Sequence, residues 1–126
     1  MSITKPMDME TGQQFGIGIR FWIRGQDGGH LFGHGRAQLL ENIQKAGSIS
    51  AGAAAMKMSY RQAWQMVTDM NKSARQPVVT VSTGGRGGGG AVVTAYGLQL
   101  LLIYKVLEDQ INNAATQLLN EISATL

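Results

Sequence analysis

Arg61, Gln62, Gln65, Thr68 and Lys72 follow one another at steps of one, three, three and four residues. On a helix that spacing gathers them on one side. Arginine and glutamine each hold paired hydrogen-bonding groups in a plane, and such pairs match the major-groove edges of guanine and adenine. Lys72, and Arg75 beyond it, suit phosphate oxygens. The chemistry is recognition of a polyanion, not bond making. The chain has no cysteine, which removes thiol nucleophiles and zinc thiolate sites. His30 and His34 stand four apart in a glycine-rich stretch without a carboxylate cluster, so they read as surface or packing histidines rather than metal ligands. The seven methionines read as gap-fillers. No catalytic residue, metal site or cofactor is expected, and the chain does not read as an enzyme.

Glycine is the other unusual feature. Of 17 glycines, eight lie at or before Gly35 and six fall in Gly84-Gly85-Arg86-Gly87-Gly88-Gly89-Gly90. The second cluster lacks the Gly-Lys-Ser/Thr ending of a nucleotide-binding loop and does not open directly into a helix. It reads instead as a hairpin tip whose backbone N–H groups can approach phosphates, with Arg86 placed for a minor groove or a sugar-phosphate backbone. Charge is equally uneven. The net charge is +3 overall, but residues 51–97 carry +4 and residues 98–126 carry −2. The basic middle can attract a polyanion that the whole-chain value would hardly suggest.

These residues need a scaffold, and 126 residues with 44% hydrophobic and 15% charged side chains can build one domain without metal or disulfide staples. No apolar run approaches the ~18 residues of a membrane span, and Met1 to Gly16 has no signal-peptide pattern. A membrane partner is not expected, and the reading is of a cytoplasmic protein.

Residues 1–14 are polar and aperiodic, and read as a flexible N-terminus. Ile17, Ile19, Phe21 and Ile23 alternate imperfectly, with Arg20 and Arg24 on the other face, and predict a strand, which Gly25–Gly29 turns back toward His30-Leu31-Phe32 as a hairpin. From Arg36, Leu39, Leu40 and Ile43 predict a helix that Gly47 ends. Ser48 caps a short alanine-rich helix from Ile49 to Met56. Ser59-Tyr60-Arg61-Gln62 is a capping-box signature for a third helix reaching about Ala74. Tyr60, Ala63, Trp64, Val67, Met70 and Ala74 are expected on its core side, with Trp64 packing inward. After Pro77, Val78–Val81 and Ala91–Val93 predict a strand pair. Thr94 caps a last helix, along which Leu100, Ile103, Leu107, Ile111, Ala114, Leu118 and Ile122 form one apolar stripe. At 1.5 Å per residue it would span about 45 Å, more than a domain of this size covers, so a second chain is expected to bury part of it.

Helix, short helix, tight turn, helix and a strand pair with a flexible tip make a winged helix-turn-helix. The expected architecture is mainly α with small β: a hairpin and winged helix-turn-helix over residues 15–94, then a long dimerisation helix over 95–126. From about Ala37 to Tyr104 the chain resembles the N-terminal DNA-binding domain of ModE-type molybdate-responsive transcriptional regulators, distant relatives of the LysR winged helix. The stretches that carry the resemblance are Leu39-Leu40-Glu41-Asn42-Ile43, Gly47-Ser48-Ile49-Ser50-Ala51, Met58-Ser59-Tyr60-Arg61-Gln62-Ala63-Trp64, Ser82-Thr83-Gly84-Gly85-Arg86-Gly87-Gly88-Gly89-Gly90-Ala91 and Thr94-Ala95-Tyr96-Gly97.

That resemblance implies a homodimer gripping a palindromic stretch of double-stranded DNA, in the full-length family as a repressor of molybdate-uptake genes. Ser59, Tyr60, Arg61, Gln62, Gln65, Lys72, Thr83 and Arg86 are the expected DNA contacts, and Leu100, Ile103, Leu107, Ile111, Leu118 and Ile122 the expected dimer contacts. Full-length members carry two molybdate-binding β-barrel modules after this domain. No strand-rich segment of that kind follows here, so molybdate is implied only by analogy with the longer members. A second reading stays open: a helix-mediated protein-interaction module with a winged-helix fold and no operator of its own.

Overall fold

The computed structural model describes residues 15–82 and 89–126. Of the described residues, those within Arg20–Val106 form one unit, and residues 15–19 with Leu107–Leu126 form a second.

In the first unit β1 (Ile23–Arg24) and β2 (His30–Phe32) make a short antiparallel pair. The strand expected from Ile17 is shorter than its alternation predicts. β2 stops at Phe32 because the chain enters a helix at His34, so Ile23 opposite Phe32 is the outermost pair. Residues 15–22 have no regular structure. Phe21 still earns a place by stacking on Tyr104, with ring centroids 4.9 Å apart.

Three helices follow: α1 (His34–Ala46), α2 (Ile49–Ala55) and α3 (Tyr60–Ser73). Gly47 ends α1 in the left-handed conformation, φ 80°, with its N–H on the Ile43 carbonyl, as a helix C-terminal glycine does at low conformational cost. α2 packs closely because Gly52 faces Ile43, whose Cγ1 would lie 2.9 Å from any Cβ there. Strands β3 (Val79–Ser82) and β4 (Gly90–Val93) then pair antiparallel, Val79 opposite Val93 and Ser82 opposite Gly90. They form the wing, whose β4 is fastened to the end of α1 by Ala91 N–H on the Gly47 carbonyl at 2.8 Å.

The last helix is α4 (Ala95–Ile122), capped by the Thr94 hydroxyl, which accepts from the Gly97 N–H at 2.9 Å. A 3₁₀ turn, Ser123–Thr125, follows it. The core lies in the first unit, where Phe32, Leu39, Leu40, Ile43, Met70, Val78 and Val79 are essentially sealed from solvent. Leu100, Leu101 and Tyr104 of α4 join them. The result is mainly helical with two small hairpins, and three helices, wing and long helix occur in the expected order.

In the second unit, the described residues are 15–19 and 107–126. Its exposed apolar side chains include Phe15, Ile17, Leu107, Leu118 and Ile122.

Candidate nucleic-acid interface

The turn between α2 and α3 is held by the backbone. Lys57 N–H donates to the Ala54 carbonyl at 3.1 Å and Met58 N–H to the Ala53 carbonyl at 3.0 Å, the paired closure of a Schellman motif. The position that usually takes glycine is Lys57, at φ 56°, the one non-glycine with positive φ among the described residues. Ser59 then caps α3, its hydroxyl accepting from Gln62 N–H at 3.0 Å. The return bond from the Gln62 side chain that a full capping box would add is absent among the described residues, and Gln62 is exposed.

Helix α3 has two unlike sides. Ala63, Val67, Met70 and Ser73 are buried, one residue per turn on the arc facing α2 and the first hairpin. Tyr60, Arg61, Gln62, Gln65 and Lys72 are exposed. Trp64 is not on the core side as the sequence suggests: it is 46% exposed and Tyr60 54% exposed. The inward arc is already filled by Ala63 and Val67, so the large ring next to Ala63 turns outward. Tyr60 and Trp64, four residues apart, thus add an apolar ridge to the polar surface.

Gln65 is not free on that surface. Its Nε2 donates to Asp69 Oδ1 at 3.0 Å, and Asp69 Oδ2 lies 3.8 Å from Arg36 of α1. Arg36 in turn donates to the carbonyls of His30 and Leu31 at 2.8 and 2.9 Å. Burial pulls the Arg36 pKa down while Asp69 pushes it back up. Burial first, and the Arg36 charge second, hold His30 below the ordinary histidine value. His30 stacks on Trp22, 5.9 Å between ring centroids.

A second clamp ties α3 to the wing. The Asn71 carbonyl oxygen accepts from Val78 and Val79 N–H at 2.7 and 3.2 Å, and its amide donates to the Val79 carbonyl at 2.9 Å. One side chain therefore satisfies three backbone groups where the chain passes from helix to strand. Among the DNA contacts expected from sequence, the structure brings Ser59, Tyr60, Arg61, Gln62, Gln65 and Lys72 onto α3 or its cap. Thr83 and Arg86 lie outside the described residues.

The stripe expected on α4 divides. Leu100 is 8% exposed and belongs to the core of its own unit, because the first turns of α4 pack with Leu101 and Tyr104; it is not a surface residue awaiting a partner. Ile103, Leu107, Leu118 and Ile122 are exposed and Ile111 is partly buried. Leu98, Leu102 and Val106, which the stripe omitted, are exposed too.

No protein-family model matches the chain. It is 42% identical over 89 residues to the DNA-binding transcriptional dual regulator ModE of Escherichia coli K12, an alignment covering 71% of this chain and 34% of that protein. The chain is homologous to the N-terminal region of ModE. The molybdenum transport protein ModE of Azotobacter vinelandii is 38% identical over 91 residues, 70% of this chain and 34% of its own length. The molybdenum-pterin-binding protein MopB of Rhodobacter capsulatus is 44% identical over 80 residues, 64% and 30% respectively. The chain therefore spans about a third of the length of these curated relatives.

Within this ModE-like chain, no group of three or more His, Asp or Glu that could hold a metal occurs among the described residues. A cavity of about 240 Å³ opens between Arg24, Gly25, Gln26, Leu31, Ser73, Ala74, Arg75 and Tyr96, below the ~300 Å³ at which small-molecule pockets begin. No helix among the described residues is long and apolar enough to cross a membrane. The surface with coherent chemistry is the outer side of α3.

Proposed function

We propose that the chain is a sequence-specific DNA-binding transcription regulator of the ModE type, acting as a homodimer on a palindromic operator. The observation that carries this reading is the outer side of α3, a helix anchored by backbone and core on one side while Tyr60, Arg61, Gln62, Trp64, Gln65 and Lys72 stand exposed on the other. Arg61 and Gln62 read base edges, Lys72 contacts phosphate, and Tyr60 with Trp64 offers apolar contact to thymine methyls or deoxyribose. Thr83 and Arg86, which follow β3 in the sequence, are proposed to contact the backbone or an adjacent minor groove.

The exposed Ile103, Leu107, Leu118 and Ile122 of α4, with Ile111 beside them, support pairing with a second copy, since apolar residues at this density on one helix are ordinarily covered. Two copies would set their α3 helices about 34 Å apart, one duplex turn. The name of one relative, a molybdenum transport protein, suggests genes of molybdenum transport as the regulated set, and repression is the mode that the family resemblance implies.

Electrophoretic mobility shift at physiological salt tests the proposal, comparing DNA upstream of the chain's own gene and its neighbours with scrambled duplex. A preference of at least ~10³ is expected of a specific binder. A ratio near one would leave the exposed apolar residues of α4 as the functional surface, in a protein-interaction module.

A further inference from the structure

We infer that Asp69 is a positioning residue that holds the Gln65 amide in one orientation, and that Gln65 thereby specifies adenine at one position of each half-site. This rests on the reading of α3 as the base-reading helix.

Ionised Asp69 can only accept hydrogen bonds, so the group of Gln65 that faces it must be the amide nitrogen, as the 3.0 Å contact has it. The opposite orientation would set oxygen against oxygen. The hydrogen bond therefore favours one orientation of the amide without any DNA present. Asp69 is itself steadied by the Arg36 guanidinium at 3.8 Å, and Arg36 is mostly buried, its side chain 14% exposed, and tied to two carbonyls of the first hairpin. The chain of contacts runs from β2 through α1 to the outer side of α3.

With one amide hydrogen engaged by Asp69, Gln65 keeps its second hydrogen and its Oε1. These are the donor and acceptor that pair with N7 and N6 of adenine in the major groove. A pre-set amide loses less rotational freedom on binding than a mobile one. The placement also carries a cost that an idle surface pair would not need: a carboxylate on the DNA-facing side repels phosphates. Removing it should therefore move two readouts in opposite directions.

The test uses the full chain, an operator recovered by selection from random duplex, and single-base substitutions in each half-site. Asp69→Ala is expected to lower the preference for adenine at one position by about tenfold, while affinity for unrelated duplex stays level or rises. Gln65→Ala should erase the preference at that same position. Asp69→Asn, whose amide can donate as well as accept and so permits both orientations of Gln65, should fall between the wild type and Asp69→Ala. Thermal denaturation of each variant checks that the fold is intact; the 44% exposure of the Asp69 side chain makes that the expected result. If Asp69→Ala keeps the wild-type base profile, or if Gln65→Ala changes no position, the inference is overturned while the DNA-binding reading stands. If the wild type itself fails to select a sequence, both fall together.

Discussion

Gly97 sits where α4 leaves the wing, and a methyl group there has nowhere to go. A Cβ at this position would lie 2.4 Å from the Val78 carbonyl oxygen and 2.9 Å from Val93 Cγ1. The carbonyl cannot yield cheaply, because it accepts from Thr94 N–H at 3.0 Å and from the Thr94 hydroxyl at 3.2 Å. Relieving the clash needs a shift of about 1 Å, which strains the packing by ~1–3 kcal/mol, weakens the Thr94 N–H bond, worth ~1 kcal/mol, and disturbs the longer arm of the Thr94 hydroxyl, whose shorter bond goes to the Pro77 carbonyl at 2.7 Å. Against this stands a gain of ~1 kcal/mol for alanine over glycine inside a helix.

Gly97→Ala should therefore destabilise by about 2–3 kcal/mol, lowering Tm by roughly 8–12 °C for a chain of this size. Urea and thermal unfolding followed by circular dichroism measure it, at one fixed protein concentration because association would raise Tm. Gly35→Ala is the matched control: nothing lies within 4 Å of its Cβ position, so it should be neutral or slightly stabilising. A Gly97→Ala protein as stable as wild type would refute the reasoning, since the close approach of α4 to β3 would then be a packing that readily relaxes.

Three further outcomes follow from the described contacts. Arg61→Ala should cost ~1–3 kcal/mol on the operator and relax one base position, whereas Lys72→Ala should weaken all sequences alike and reduce the salt slope by about one, both read from binding titrations over a salt series. Trp64→Ala should change unfolding free energy by no more than ~0.5 kcal/mol, as for a surface substitution, where a core tryptophan would cost ~3–5 kcal/mol; its operator affinity should nonetheless fall. The pKa of His30 is held low by burial and by Arg36, so the folded state binds its proton less readily than the unfolded chain. Stability should be level above the ordinary histidine pKa of ~6.5 and decline as pH falls below it. Replacing His30 with Gln should flatten that decline in urea midpoints measured from pH 7.5 to 5.5.

The helices and caps were legible in the sequence because their signals are local. Gly47, Ser48, Ser59 and Thr94 each act within four residues of themselves, and each caps the helix its pattern predicts. The faces were harder to read. Trp64 belongs by hydrophobicity on the core side of α3, yet the inward arc is set by Ala63, Val67, Met70 and the small polar Ser73, and two of those residues contribute little to an apolar pattern. On α4, apolar residues occur nearly all around the early turns, so periodicity could not tell the buried Leu100 from the exposed Ile103. The strand expected from Ile17 is kept only as Ile23–Arg24, because alternation says nothing about how far a partner strand extends. Arg36 lies 33 positions before Asp69 in the chain, and a contact between residues so distant in sequence leaves no mark in local spacing.

The joint between α2 and α3 has a consequence for how such a protein can change. Its closure is made by the N–H groups of Lys57 and Met58 on carbonyls of α2, so the closure itself uses no side chain of Arg61, Gln62 or Trp64. On the proposed reading of α3, substitutions at Arg61, Gln62 and Trp64 can therefore accumulate without disturbing that closure, and variants can drift from one target sequence to another while remaining folded. Change at Lys57 is a separate axis. Glycine there would relax a left-handed residue and remove a positive charge.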